Sequence, residues 1–296
     1  MDIASRLGAR CDRRPDPPAG PSGCRSVVER PRARVRRDGG GQLTGAEATG
    51  LLVVAGFVGG TVNGAAGGGT LVSFPALLAV GLPALQANMT STVGIWPGYL
   101  GGVAGFRREV SAQRRRVGLL APAALLGGML GSVLLFTTPK KDFAAVVPYL
   151  VLLACVLFAV QPVVGKVVRR RAERRGEAPG STVAAHAGTF VGAVYGGYFG
   201  AGLGVVLLGV LGLVLPDELI RTNGLRSVLS LLINTVAALI FIVQGDISWA
   251  DAGLLALTSL AGGYFGAHVA RRLPTVVFRV LVLALGLATA ASLLAG

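Results

Sequence analysis

Few residues in this chain are able to do chemistry, and they cluster at corresponding places in its two halves. Asn88-Met89-Thr90-Ser91-Thr92 opens one apolar stretch, and Arg221-Thr222-Asn223-Gly224, closely followed by Arg226, opens another. Amides and hydroxyls at the start of a helix can cap the free N–H groups of the first turn, which is the plain account of Thr90. Alternatively they hold an oxyanion together with those N–H groups. Similar groups at the start of corresponding helices favour the second use. Two opposed helix N-termini carrying Asn88, Thr90, Ser91, Thr222 and Asn223 make an oxyanion pocket, with Pro75 and Pro83 flanking the turn that delivers Asn88. Arg226 is the candidate for charge-pairing the anion, because an ionisable group in or beside a membrane span is costly and so points to function. Arg221 reads as an anchor snorkelling to the interface. Asn234 reads as an interhelical hydrogen-bond donor.

Other chemistries find no residues. The three cysteines are Cys11 and Cys24 in an N-terminal tail and Cys155 in an apolar stretch, which gives no disulfide framework and no metal set. The two histidines, His186 and His268, have no carboxylate near them in sequence, so neither a metal nor a proton relay is built on them. No G-x-x-x-x-G-K-[ST] motif is present to energise transport with a nucleotide. The expected inventory is therefore no catalytic residue, no metal and no cofactor.

Two glycine runs accompany the polar clusters. Gly56–Thr70 reads GFVGGTVNGAAGGGT and Gly188–Gly204 reads GTFVGAVYGGYFGAGLG. A shift of 133 positions lays Phe57-Val58-Gly59 on Phe190-Val191-Gly192, Gly64 on Gly197, Gly67 on Gly200 and Gly69 on Gly202. Small residues let membrane helices approach closely. A duplicated glycine interruption also marks broken helices around a transport site. Both uses are open here, and the second adds Asn63, Gly67, Gly68, Gly69, Gly200 and Gly202 to the candidate substrate-binding residues.

The rest of the chain sets these segments in a membrane. Only 14% of residues are charged and the mean hydropathy is +0.66. A spanning helix needs about 20 apolar residues, and uncharged runs of that order occur at 49–81, 87–106, 117–136, 143–165, 181–214, 227–245, 252–270 and 280–296. The expected fold is all-α: a polytopic membrane protein of about eight helices in two four-helix repeats. The runs 49–81 and 181–214 would each measure about 50 Å as a straight helix, too long for a bilayer. Clustered glycines predict that each breaks, with a second shorter helix or re-entrant limb.

The net charge of +14 is placed beside spans rather than on a nucleic-acid face. Residues 1–44 carry ten Arg against five acids, residues 107–116 five Arg against one Glu, and residues 163–182 six Lys or Arg against two Glu. That is the positive-inside pattern. It predicts a disordered cytoplasmic tail (1–44), a first repeat (45–162), a basic cytoplasmic linker (163–182) and a second repeat (183–296). With the tail inside, span 1 exits and span 2 returns, so 107–116 lies inside as well. Simple alternation then puts the acidic turn at Gln244–Asp251 inside and Arg271-Arg272 outside, against the rule. An even number of spans per half favours parallel repeats, whereas that conflict hints at an extra or missing crossing.

Taken in order, these segments resemble the sulfite exporter TauE/SafE family. The resemblance is carried by the early glycine run with Pro75 downstream, Leu82-Pro83 followed by Asn88–Thr92, and the second glycine run Gly192–Gly204. Gly245-Asp246-Ile247-Ser248-Trp249, Gly262-Gly263-Tyr264-Phe265-Gly266-Ala267 and Arg271-Arg272 complete it. One departure is Leu207-Leu208, where the first half has Phe74-Pro75. The resemblance implies a multi-pass cell-membrane permease of two repeats for small sulfur-containing anions such as sulfite or sulfonates. Its partners would be the bilayer, the anion and a coupling proton or sodium ion. A homo-oligomer is compatible with it, and nucleic acid is not a partner. The alternatives are a non-transporting scaffold that recruits partners through its Arg-rich segments and a transporter of an unrelated small solute. A cation permease is disfavoured by the near absence of acids from the apolar runs, as is a membrane enzyme.

Overall fold

The computed structural model describes residues 45–65, 67–175, 182–215, 219–269 and 276–295, and among them every regular element is a helix. The tail, expected to be disordered, lies outside the described residues. The helices are α1 (Gly45–Ala65), α2 (Thr70–Ala79), α3 (Ala84–Gly105), α4 (Arg107–Ser111), α5 (Arg114–Thr137), α6 (Lys140–Arg175), α7 (Thr182–Tyr198), α8 (Leu203–Val214), α9 (Leu219–Gln244), α10 (Trp249–Val269) and α11 (Val276–Ala295). Four candidate spans are long and apolar enough to cross a membrane: Gly45–Ala65, Arg114–Thr137, Lys140–Val167 and Ile220–Gln244. This is an all-helical, multi-pass membrane protein.

Both long apolar runs break at their glycines. In the first, α1 stops at Ala65 and α2 starts at Thr70; in the second, α7 stops at Tyr198 and α8 starts at Leu203. Gly67 and Gly200, which the shift superposes, both have φ of +77°. A Cβ makes that conformation costly, so glycine supplies it without strain. The Gly67 N–H turns back to the carbonyls of Val62 and Asn63 (3.0 and 3.1 Å), which closes the end of α1 without help from water. Two elements differ from expectation. The Arg-rich turn contains the short helix α4, and α6 continues through the first part of the expected linker to Arg175, because nothing between Val163 and Arg175 breaks a helix. The remainder of that linker, 176–181, lies outside the described residues.

Glycine also sets the directions of the helices. Along α1 and α10, Gly56 faces Leu255, Gly60 faces Ser259 and Thr61 faces Gly266, so the two run the same way. Along α3 and α10, Gly94 faces Leu255, Gly98 faces Ser259 and Gly101 faces Tyr264, again in parallel. The second half repeats this arrangement with α5 in place of α10. Gly127 faces Ala193 and Gly131 faces Tyr198, so α5 runs with α7. Gln113 bonds to Arg221 and Gly128 faces Ile233, so α5 also runs with α9. Each half therefore lends one helix to the other. The central pair, α3 and α9, is antiparallel: Met89 lies by Gly245, Trp96 donates to Thr235 (2.8 Å), and Gly102 shares a cavity with Arg226.

These directions fix the course of the chain through the bundle. Because α2 brings the chain back, α1 and α3 are parallel, and Gly45 lies at the opposite end of the bundle from the Arg107–Arg116 turn. Across the two halves, α1 and α3 run opposite to α7 and α9. The Gln244–Asp251 turn, where Ser248 bonds to Asp251 (2.6 Å) at the start of α10, falls at the end away from Arg107–Arg116. The C-terminal end of α10, just before Arg271-Arg272 in sequence, falls at the basic end. The charge conflict came from treating 49–81 as one crossing.

Packing at this distance leaves no room for a methyl group. A Cβ on Gly101 would lie 2.6 Å from the Tyr264 amide nitrogen, whereas nothing lies within 4 Å of one on Gly118. Gly101→Ala is expected to destabilise the purified protein by about 1–3 kcal/mol, partly offset by about 1 kcal/mol of helix propensity. Gly118→Ala keeps only that gain, so thermal unfolding in detergent should order the three proteins Gly118→Ala, wild type, Gly101→Ala.

Candidate functional site

The site is built on α9. Thr222, Arg226, Ser230 and Asn234 follow one another at intervals of four, and all four are buried. That spacing lines one face of a helix, so α9 presents a polar stripe to the centre of the bundle. Arg226 is 1% exposed, and its Nε and Nη1 have no hydrogen-bond partner. Asn63, 4% exposed on the last turn of α1, has neither its amide nitrogen nor its amide oxygen bonded, and the Ser230 hydroxyl is also without a partner. These side chains border one small cavity with Gly67, Tyr99, Gly102 and Ser227. Its volume, counted as space for water centres, is about 10 Å³, the room of a single water.

The two helix breaks meet over the guanidinium. The Gly204 N–H donates to the Gly67 carbonyl at 3.1 Å. A Cβ on Gly67 would lie 2.5 Å from the Gly204 Cα and 2.8 Å from Arg226 Nη1. A Cβ on Gly204 would lie 3.0 Å from the same Nη1. Backbone can approach a charged group this closely only where both breaks carry glycine. The N-terminal end of α8, the positive end of its dipole, is thereby held beside Arg226. The Tyr99 hydroxyl lies beside Asn63 and Asn234 and within the field of Arg226, linking the cavity to the lower part of the α9 stripe.

The residues singled out from sequence fall into groups. Asn63, Gly67 and Arg226 come together at the cavity. Gly68 packs against the Phe158 ring, and Gly69 packs against Gly59. Asn88, Thr90 and Ser91 lie together towards the other end of α3, about 12–16 Å along it from Tyr99. There the Asn88 amide donates to the Tyr198 carbonyl (3.1 Å), Thr90 accepts from the Ser248 N–H (3.2 Å), and Ser91 shares a hydrogen bond with Ser73 (2.6 Å). Thr222 is buried at the basic end of the stripe, and the Asn223 carbonyl accepts from Ser227 (2.8 Å). Because α3 and α9 are antiparallel, their N-termini lie at opposite ends and do not face one another across a pocket, which corrects the opposed pair expected from sequence. Gly200 and Gly202 shape the second break, beside Thr70, Asn234 and Ala154. His186 sits between the carbonyls of Thr182 and Leu119, away from the cavity.

Tyr99, Ser227 and Ser230 were not singled out from sequence. The four-residue polar interval from Thr222 to Asn234 is the signal that finds Ser230 and joins Asn234 to the site. Chemically the cavity offers one cation, an amide, hydroxyls and no carboxylate among its lining residues.

The sequence model of the family described as Sulfite exporter TauE/SafE matches residues 52–293. The chain is similar to a "Probable membrane transporter protein" of Haemophilus influenzae, 24% identical over 219 residues that cover 74% of this chain and 84% of the relative. It is also similar to "Probable membrane transporter protein ORF9" of a Sinorhizobium species, 27% identical over 117 residues that cover 40% of this chain and 45% of that one. The family match begins within α1 and ends within α11, enclosing both breaks and the polar stripe between them, and the chain belongs to the Sulfite exporter TauE/SafE family.

Proposed function

We propose that this membrane transporter moves a small oxyanion, sulfite or an organosulfur anion, as a secondary transporter, and that Arg226 pairs with the anion. The observation that carries this is a fully buried guanidinium with two unpartnered nitrogens. An unpaired buried ion costs several kcal/mol. An oxyanion offset by that fork, by the Asn63 amide and by the hydroxyls of Ser230 and Tyr99 would recover it through charge-assisted hydrogen bonds. The tetrahedral or pyramidal oxygens of a sulfur oxyanion suit donors converging from α1, α3 and α9. The cavity is far smaller than such an ion, so admitting one requires Gly67 and Gly204 to part. Parting them moves one inverted repeat against the other, as alternating access requires.

The eight-crossing, inverted-repeat reading of the bundle belongs to the same proposal, as does its place in the cell membrane. The orientation follows from the short basic segments: the end carrying Arg107, Arg108 and Arg114–Arg116 is cytoplasmic. Gly45 then lies on the outer side. In a cysteine-free background, Lys141→Cys should react with an impermeant maleimide in intact cells, and Ala112→Cys only after permeabilisation. The opposite pattern would reverse the orientation.

The site is tested by flux of radiolabelled sulfite into proteoliposomes, with sulfate and a short sulfonate alongside. Arg226→Met should abolish saturable flux while leaving the protein as stable or about 1–4 kcal/mol more stable, since an apolar side chain removes the uncompensated charge. Arg226→Lys keeps the charge but loses the planar fork, and should lower the rate about tenfold, which corresponds to about 1.4 kcal/mol. Wild-type flux in Arg226→Met would overturn the site.

A further inference from the structure

The second helix break gathers a set of oxygens that the anion site does not use. Around the point where a Cβ on Gly200 would lie are the Gly196 carbonyl oxygen at 3.3 Å, Thr70 Oγ1 at 3.9 Å and Asn234 Oδ1 at 4.0 Å. They come from three elements: the end of α7, the first residue of α2 and the polar stripe of α9. Two features fix them as oxygens facing inward. The Asn234 amide nitrogen donates to the Ser230 carbonyl (2.9 Å), which settles which end of the amide is oxygen. The Gly200 N–H bonds to the Tyr195 carbonyl (3.4 Å), so the Gly196 carbonyl four residues back does not receive it. Asn88 Oδ1 is fully buried and without a partner, while its amide nitrogen donates to the Tyr198 carbonyl at the same end of α7.

We infer that the end of α7 at Gly200 binds an alkali-metal cation, held by the Gly196 carbonyl, Thr70 and Asn234, and that this is the coupling ion for the anion at Arg226. A helix C-terminus carries about half a negative charge, and unwound carbonyls at half-helix ends are the usual sodium ligands of broken-helix transporters. The three ligands are neutral, which suits a monovalent ion over a divalent one, since divalent sites draw on carboxylates. A proton is a poorer fit: the side chains around Gly200 are Thr70 and Asn234, and the Glu109 carboxylate with its buried oxygen lies by Gly224 at the basic end, away from this break. Tyr99, beside both Asn234 and Arg226, lies between the two sites. An anion and a cation bound within one low-dielectric centre lower each other's cost of entry, which is what coupling requires.

The proposal rests on the transport reading above, and one experiment separates them. Thermal unfolding of the purified protein is followed in choline chloride, with sodium or potassium exchanged in at constant ionic strength, and separately with sulfite added as its choline salt. Saturating sodium or potassium is expected to raise Tm by about 3 °C or more over choline. Thr70→Val should lose that rise and Thr70→Ser should keep it. Asn234→Asp should reach the half-maximal rise at a lower cation concentration. Arg226→Met should keep the cation response and lose the sulfite response. No rise over choline, or an unchanged rise in Thr70→Val, overturns the cation site. If Thr70→Val does not fold, a weakened response in Asn234→Asp overturns it. A sulfite response without a cation response removes this proposal alone, and a cation response without a sulfite response removes the anion reading alone.

Discussion

Helix backbones in direct contact hold this bundle together. Gly56 and Gly60 of α1, Gly94, Gly98 and Gly101 of α3, and Gly262, Gly263 and Gly266 of α10 all lie where a side chain would strike a neighbouring backbone or the root of a side chain. In a bilayer no hydrophobic force drives helices together, since lipid tails are as apolar as leucine. Attraction comes instead from dispersion at short range and from hydrogen bonds such as Ser259 to the Gly94 carbonyl at 2.9 Å. Dispersion falls steeply with separation, so the three-helix contact exists only while those positions lack side chains. The same constraint, applied through α5 and its Ser132 bonded to the Gly197 carbonyl at 3.2 Å, organises the other half. Everything at the centre depends on these two triplets holding α1 and α7 at fixed depth.

Within that frame the two breaks are not defects in helices but the means of bringing backbone to a charged group. Gly67 and Gly204 touch over Arg226, and their contact accounts for the smallness of the cavity. A leucine lattice would have buried the same area with less exposed polarity and no unpaired guanidinium. The stability forgone at Arg226, Asn63 and Ser230 marks where function outweighs packing. The second break differs from the first in having two glycines of positive φ, Gly200 and Gly202, where the first has one. The breaks are thus alike in order and unlike in surroundings: Arg226 of α9 lies against the first, and the oxygens of Gly196, Thr70 and Asn234 lie around the second.

Much of the architecture was legible in the residues. Run lengths and clustered glycines located both breaks, because too many apolar residues for one crossing and too many helix-weakening ones in the middle are local properties. Helix direction was not legible. It turns on whether α2 returns the chain, and no local pattern states how ten residues such as Thr70–Ala79 are aimed. The break in 49–81 was legible, but not whether its second limb returns the chain, so parallel and inverted halves both stayed open. At the site, Arg226 stood out by its charge and Asn63 and Gly67 by lying in a glycine run. Ser230 is marked only by the four-residue interval it shares with Thr222, Arg226 and Asn234. Tyr99 and Gly102 were beyond reach, because their place depends on how α3 crosses α9, which is decided by packing across the whole chain.

The exchange of helices between halves has a consequence for how the chain is made. Gly60 finds its partner in Ser259, which lies 199 positions later (259 − 60). At ordinary elongation rates, α1 and α3 stand in the membrane for about 10–40 s before α10 is synthesised. During that interval their glycine faces have only lipid or each other to meet. The glycine face shared by α1 and α3 stays open until α10 arrives, so this molecule is a single unit of biogenesis despite its internal duplication.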